Sequence, residues 1–155
     1  MFGGVSFWGD GATWDVKTLA QGLSEGGYEV GYIGKWHLYA NELGNHSDPK
    51  NSFTPPGPDR LGFDGYWAAY GFHHNYYNAY YHTDWPKKIS YGQDAYEPDA
   101  QTDMMIDFLG RAAESGRRFA AFLSYGTPHD PWSANNVPTK YSEIFDSVSL
   151  PNPPN

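Results

Sequence analysis

The chain has 155 residues, of which 39% are hydrophobic and only 18% charged, with a formal net charge of −8 and no cysteine. That length suits one ordinary domain, and the missing cysteine excludes a disulfide framework, a cysteine zinc site and a thiol nucleophile. The acidic balance argues against a nucleic-acid or anionic-membrane partner, and no run of 18 apolar residues marks a transmembrane helix. Aromatic residues reach 18%, too many for a disordered chain. No basic segment followed by an apolar stretch opens the sequence, so no signal peptide is visible.

Residues 1–14 are rich in glycine and aromatic residues without a period, and read as a loop. Residues 15–26 predict a helix capped by Asp15, with Val16, Leu19, Ala20 and Leu23 on one stripe and Gly26 and Gly27 as the stop. A short strand follows over Tyr28 to Gly34 and delivers Lys35, Trp36 and His37, so this helix–strand unit spans 15–38. Residues 39–97 form a long, irregular, aromatic-rich insert containing Pro-Pro-Gly-Pro at 55–58, with short strands or hairpins expected around Tyr76 to His82. The second helix runs over 99–115, with Ala100, Met104, Met105, Phe108, Leu109 and Ala112 on one face and Gly116 as its stop. The strand Phe119 to Tyr125 is continuously apolar, as expected of one buried on both faces of a parallel sheet. It runs into Gly126, Thr127, Pro128, His129 and Asp130, so the helix–strand–turn unit spans 99–132, and a proline-rich tail occupies 148–155.

Two strands, each preceded by an amphipathic helix, predict α/β architecture with a mainly parallel sheet. Two parallel strands do not make a stable sheet alone, so either the insert adds strands or the sheet is incomplete. Ligands of open α/β sheets bind beyond the carboxyl ends of the strands. Lys35 and His37 follow the first strand there, and His129 and Asp130 follow the second. Lysine supplies a point charge for an oxyanion, and histidine transfers protons near neutral pH. Each residue alone also reads as an ordinary surface side chain. His73 and His74 are adjacent rather than three or four apart, so no metal site is assigned from spacing. The rings of Tyr66, Trp67, Tyr70, Phe72, Tyr76, Tyr77, Tyr80, Tyr81 and Trp85 suit either the packing of an irregular subdomain or stacking on sugars.

Thr18 to Leu38, ending in Ile-Gly-Lys-Trp-His-Leu, closely resembles the second signature of the type I sulfatases. Leu61 to Asp64 resembles the Gly-Phe-Asp element that follows in that family, Phe119 to Trp132 its strand and Pro-His-x-Pro turn, and Lys140 with Tyr141 a lysine–tyrosine pair. The resemblance covers nearly the whole chain in the family's order. It implies the alkaline phosphatase-like fold, an α/β/α three-layer sandwich of which this chain is a part, and hydrolysis of sulfate esters. It also implies a formylglycine nucleophile made in a C/S-x-P-x-R motif, a divalent cation, usually calcium, and a sulfated small molecule or glycan as substrate. By position Lys35 matches the lysine that contacts sulfate. His37 matches the histidine that takes a proton from the formylglycine hydroxyl, and His129 the histidine near the leaving-group oxygen. His74 and Asn75 are expected to face the substrate.

The departures from the family's pattern are equally specific. No C/S-x-P-x-R occurs, the paired aspartates of the first strand are absent, and so is the later Asp-Asn pair with its lysine. Val30 stands where the signature usually has serine or threonine, and Tyr39 where a glycine usually follows. Neither the formylglycine nor the calcium cage is assignable within the chain, which therefore reads as an internal segment of a sulfatase, inactive alone and marginally folded. The parent's location is open, with export to the periplasm or medium expected from the resemblance. A phosphonate or phosphodiester hydrolase of the same superfamily and a non-catalytic carbohydrate-binding module are the competing readings.

Overall fold

The computed structural model describes residues 16–40, 48–149 and 151–152. The expected N-terminal loop, the Asp15 cap and the end of the tail lie outside them. The elements in chain order are α1 (Leu19–Glu25), β1 (Glu29–Lys35), β2 (Trp67–Tyr70), β3 (Tyr80–Tyr81), β4 (Ile89–Ser90), α2 (Glu97–Glu114), β5 (Phe119–Ser124) and α3 (Thr139–Ser142), joined by loops and short 3-10 turns. A parallel sheet of order β2-β1-β5 holds the chain together, with Tyr32 beside Trp67 and Phe122, and Lys35 beside Tyr70. β3 and β4 make an antiparallel ladder, linked to β2 by a bridge between Ala69 and His82. The insert therefore supplies the third parallel strand that the sequence left open.

Side chains alternate faces along β1, so Gly31 and Tyr32 look in opposite directions. On one face Tyr32, Trp36 and Trp67 pack with Phe63 and Phe122, with ring centroids 5.0 to 5.5 Å apart. Such ring pairs add about 0.5–1.5 kcal/mol each beyond area burial. Arg60 lies over Trp67 at 4.4 Å and is itself buried, donating to Asp84 Oδ1 and to the carbonyls of Thr54 and Thr83. A buried guanidinium is costly unless it is paired, and the two terminal nitrogens are paired here while Nε is not, so Arg60 ties three points of the insert to the sheet. On the other face Phe108 of α2 lies directly over Gly31, where a Cβ would stand 2.8 Å from the ring. α2 runs back along the sheet, from Glu97 near the end of β2 to Phe108 near the start of β1.

Several expectations are corrected. The cap of α1 is Thr18, whose hydroxyl accepts from the Gln21 N–H while Gln21 returns a bond to Thr18 N. Of the predicted stripe only Ala20 is buried, and Val16 and Leu19 are exposed, because a two-turn helix reaches the sheet with one small residue. α2 starts two residues early, and its buried positions are Glu97, Gln101, Phe108 and Ala112, while Leu109 faces outward. β5 is partly exposed at every residue rather than buried on both faces. It is an edge strand, and its outer side pairs with no strand among the described residues. No helix among the described residues is long and apolar enough to cross a membrane.

Gly34 sits where β1 and β5 come closest. Its φ is +109°, and a Cβ there would lie 2.0 Å from the Ser124 carbonyl oxygen. Gly34→Ala forces apart the strand pair that carries the sheet, and is expected to lower stability by about 3 kcal/mol or more. Urea unfolding of the two chains measures this, and an unchanged midpoint would contradict the packing described.

Candidate active site

Parallel pairing brings the carboxyl ends of β1, β2 and β5 to one edge. Each end hands its chain to a loop bearing cationic or proton-carrying groups. β1 ends at Lys35 and leads to His37, β2 leads to His73, His74 and Asn75, and β5 leads to His129 and Asp130. The sequence points to His74 and Asn75 through the family resemblance alone, and the pairing of β2 with β1 supplies the physical reason that they stand at this edge.

The loop after β5 carries Thr127-Pro128 and Asp130-Pro131 peptide bonds in the cis form on either side of His129. His129 Nδ1 lies 2.5 Å from Asp130 Oδ1. Its ring stands 4.0 Å from that of His74, tilted by 36°. The two loops are also joined through the backbone, because Tyr76 Oη donates to the His129 carbonyl. Tyr76 is buried, and its own carbonyl accepts from the Glu97 N–H at 2.8 Å, so the His74 loop is fixed to the start of α2. His37 is exposed, has a φ of +47° and sets its ring against Phe72 at 4.7 Å. Histidine is among the few side chains that enter this region at modest cost, and such backbone gathers at functional sites. Asn75 is exposed beside His74.

Beneath these groups lies a buried network that the sequence reading missed. Glu97 is fully buried, and its Oε1 accepts from Tyr70 Oη at 2.6 Å. Its Oε2 has no hydrogen-bond partner and is faced by His73 Nε2 at 3.6 Å. The His73 ring stacks on Tyr70 at 3.7 Å, and its Nε2 lies 3.0 Å from the Tyr80 carbonyl. Gly126 has no side chain because a Cβ would meet Tyr70 Oη at 2.4 Å and Glu97 Oε1 at 3.1 Å. The glycine opening the Gly126–Asp130 turn was the available sequence signal. A glutamate ahead of the first helical turn reads otherwise as a solvated acid.

The electrostatics follow from burial. Burial pushes the Glu97 carboxyl up to about 7 against the opposing pull of Tyr70, Gln101 and Lys35. Burial pushes His73 down to about 4. Lys35 is lowered chiefly by burial, with the carboxylates of Glu97 and Asp130 restraining the shift. Desolvation, then Lys35 and His129, lower His74. Lys35 is thus within electrostatic reach of Glu97, Asp130, His73 and His74.

The sequence model of the sulfatase family matches residues 4–151. The chain belongs to the sulfatase family. It is 32% identical over 133 residues to an ulvan-active sulfatase of Formosa agariphila, covering 85% of this chain and 24% of that protein. It is 26% identical over 142 residues to an N-acetylglucosamine-6-O-sulfatase of Bacteroides thetaiotaomicron, covering 91% of this chain and 21% of the relative. Among solved structures it resembles yidJ from Bacteroides fragilis, at 25% identity and a TM-score of 0.67 over 87% of this chain and 30% of that one. The chain thus spans less than a quarter of the length of either curated relative and carries part of the alkaline phosphatase-like α/β fold.

The family's usual cation does not fit the donors gathered among the described residues. His74, His129 and Asp130 can bring one donor atom each within 4.8 Å of the others. Two imidazoles and a carboxylate do not make the cage of six to eight oxygens that calcium takes. No C/S-x-P-x-R supplies a formylglycine either. The proposed sugar platform also fails at its centre, since Trp67 is 4% exposed within the aromatic core, although Trp85 is 74% exposed.

Glu97 gives the site a pH signature. In the unfolded chain its carboxyl ionises near 4.5, and in the fold near 7. The unfolded state then loses its proton first, so this contribution is fully present below pH 4.5 and is lost as pH rises through 7. His73, lowered from 6.5 to about 4, acts in the opposite sense and loses its contribution as pH falls through 4. In Glu97→Gln the first dependence disappears. The stability of the variant minus that of the native chain is expected to rise by about 2–3 kcal/mol between pH 4.5 and pH 8. Urea unfolding at those two pH values reads it, and a pH-independent difference would place the charge elsewhere.

Proposed function

We propose that this chain carries the anion-binding and leaving-group side of a sulfatase catalytic site that hydrolyses sulfate esters. The observation behind this reading is the gathering of Lys35, His74 and His129 at the carboxyl edge of one parallel sheet. A fixed cation is worth most where negative charge grows on a transferring group. Lys35 supplies it to the oxygens of the sulfuryl group. As the ester S–O bond breaks, the departing oxygen takes up negative charge, and a protonated His129 quenches it by donating its proton. Asp130, against His129 Nδ1, orients the ring and sets its tautomer.

His37 is the proton-accepting histidine of the matched signature and completes the set beside Phe72. His74 and Asn75 line the exposed rim, where they meet the substrate. A sulfated glycan is the substrate class this reading favours, supported by the open position of these residues and by a relative named for an N-acetylglucosamine sulfate ester. The nucleophile and the divalent cation belong to parts of the parent enzyme that this sequence does not contain. No step of theirs is assigned to the residues present.

Two outcomes follow. The purified 155-residue protein, supplied with calcium, is expected to turn over no chromogenic aryl sulfate. Turnover above the blank that disappears in Lys35→Ala would overturn the division of labour proposed. Sulfate ion, titrated into the labelled chain, is expected to shift the imidazole resonances of His74 and His129. In Lys35→Ala those shifts should shrink at least severalfold. Equal shifts in both chains would remove Lys35 from the anion site.

A further inference from the structure

We propose that His74, His129 and Asp130 form a binding site for a borderline-soft divalent cation such as zinc, nickel or copper(II), distinct from the oxygen-rich calcium site of the family. The three residues come from two loops, and spacing in the sequence gave no hint of them, because His74 and His129 are separated by 54 intervening residues. In the fold the two imidazoles face each other at 4.0 Å, and one donor atom from each of the three side chains lies within 4.8 Å of the others. Bonds of about 2.0–2.2 Å from zinc to imidazole nitrogen or carboxylate oxygen place neighbouring donors some 3–3.5 Å apart. The three exposed side chains must turn to reach that spacing, with the wider separations closing and His129 Nδ1 and Asp130 Oδ1, now 2.5 Å apart, parting slightly.

The backbone beneath the site is already fixed. Tyr76 Oη holds the His129 carbonyl two residues from His74 in the opposite loop. The Tyr76 carbonyl is held in turn by the first N–H of α2, at 2.8 Å. Pro128 and Pro131 fix φ on either side of the His129–Asp130 pair, and Trp132 Nε1 donates to the Pro128 carbonyl at 2.7 Å, closing the turn. The site is therefore held from three directions before any ion arrives. All three ligands are exposed, so water can complete a tetrahedral or higher coordination sphere.

The donor set selects the ion. Imidazole nitrogen suits zinc, copper and nickel, whereas magnesium and calcium require mostly oxygen. Lys35, nearby, opposes a second cation, and the carboxylate of Asp130 offsets it. Binding itself does not depend on the sulfatase reading. Only its consequence does. A metal on His129 takes the lone pair that would otherwise hold the proton for the leaving group, so soft divalent cations would inhibit the parent enzyme competitively with that proton.

Zinc titrated into the 155-residue chain by isothermal calorimetry, with cobalt(II) as the spectroscopic probe, tests the site. One zinc per chain is expected, with visible cobalt bands of an imidazole-ligated ion. His74→Ala and His129→Ala should each weaken zinc at least tenfold, Asp130→Asn less so, and millimolar calcium should not displace the ion. The residues are exposed, and matching far-UV circular dichroism confirms that each variant keeps its fold. His74→Gln, nearly isosteric, provides a second check. Zinc affinity unchanged in both alanine variants, or displacement by calcium, would overturn the site. Because no substrate enters these measurements, a failed metal site leaves the sulfatase reading standing, and a failed sulfatase assay leaves the metal site standing.

Discussion

The hydrogen bond from Tyr70 Oη to the buried Glu97 carboxylate holds the functional edge of this protein together. Tyr70 is the last residue of β2, and Glu97 is the first of α2. Their bond, made without water at hand, pins the start of the long helix to the end of the sheet. An unpaired buried carboxylate would cost several kcal/mol. The structure meets that demand with Tyr70 on one oxygen and the His73 ring near the other. Gly126 is then required for space, which sets the path of the chain from β5 into the His129 turn. One buried acid thus positions the loops that leave two of the strands.

The same arrangement explains how an acidic chain keeps a site suited to anions. The formal charge of −8 is spread over the whole molecule, while Lys35, His37, His73, His74 and His129 are concentrated at one edge. Charge acts locally where water is partly excluded, because a lower dielectric strengthens near pairs over distant ones. Glu97 and Asp130 offset part of the burial that lowers Lys35, and the burial of His73 favours its neutral ring. The edge therefore gathers one lysine and several imidazoles whose environment is set by near groups rather than by the overall charge.

The rigid backbone and the open side chains divide the work. The aromatic cluster around Tyr32 and Trp67 and the buried Arg60 fasten a long, irregular insert to a three-stranded sheet. That insert is what carries His74 to His129. The outer edge of β5 and the exposed Trp132, Ile144 and Phe145 remain open among the described residues. The chain covers only 24% of its ulvan-active relative.

Residue types and local order determined much by themselves. The spacing of apolar residues showed both helices and both flanking strands, and Gly-Lys-Trp-His with Pro-His-Asp-Pro placed the chain in its family. Polar residues after each strand marked the edge where chemistry belongs, because parallel strands share a direction. Tertiary structure alone decided the rest. Trp67 to Tyr70 reads as loop in an insert without period, and becomes a strand only by pairing with β1. Glu97 looks like a helix-start acid and becomes buried only because the helix lies against Tyr70. His74 and His129 are far apart along the chain and meet only because β1 lies between β2 and β5. Sequence patterns record contacts between neighbours on one element, whereas the site is made where three elements end together.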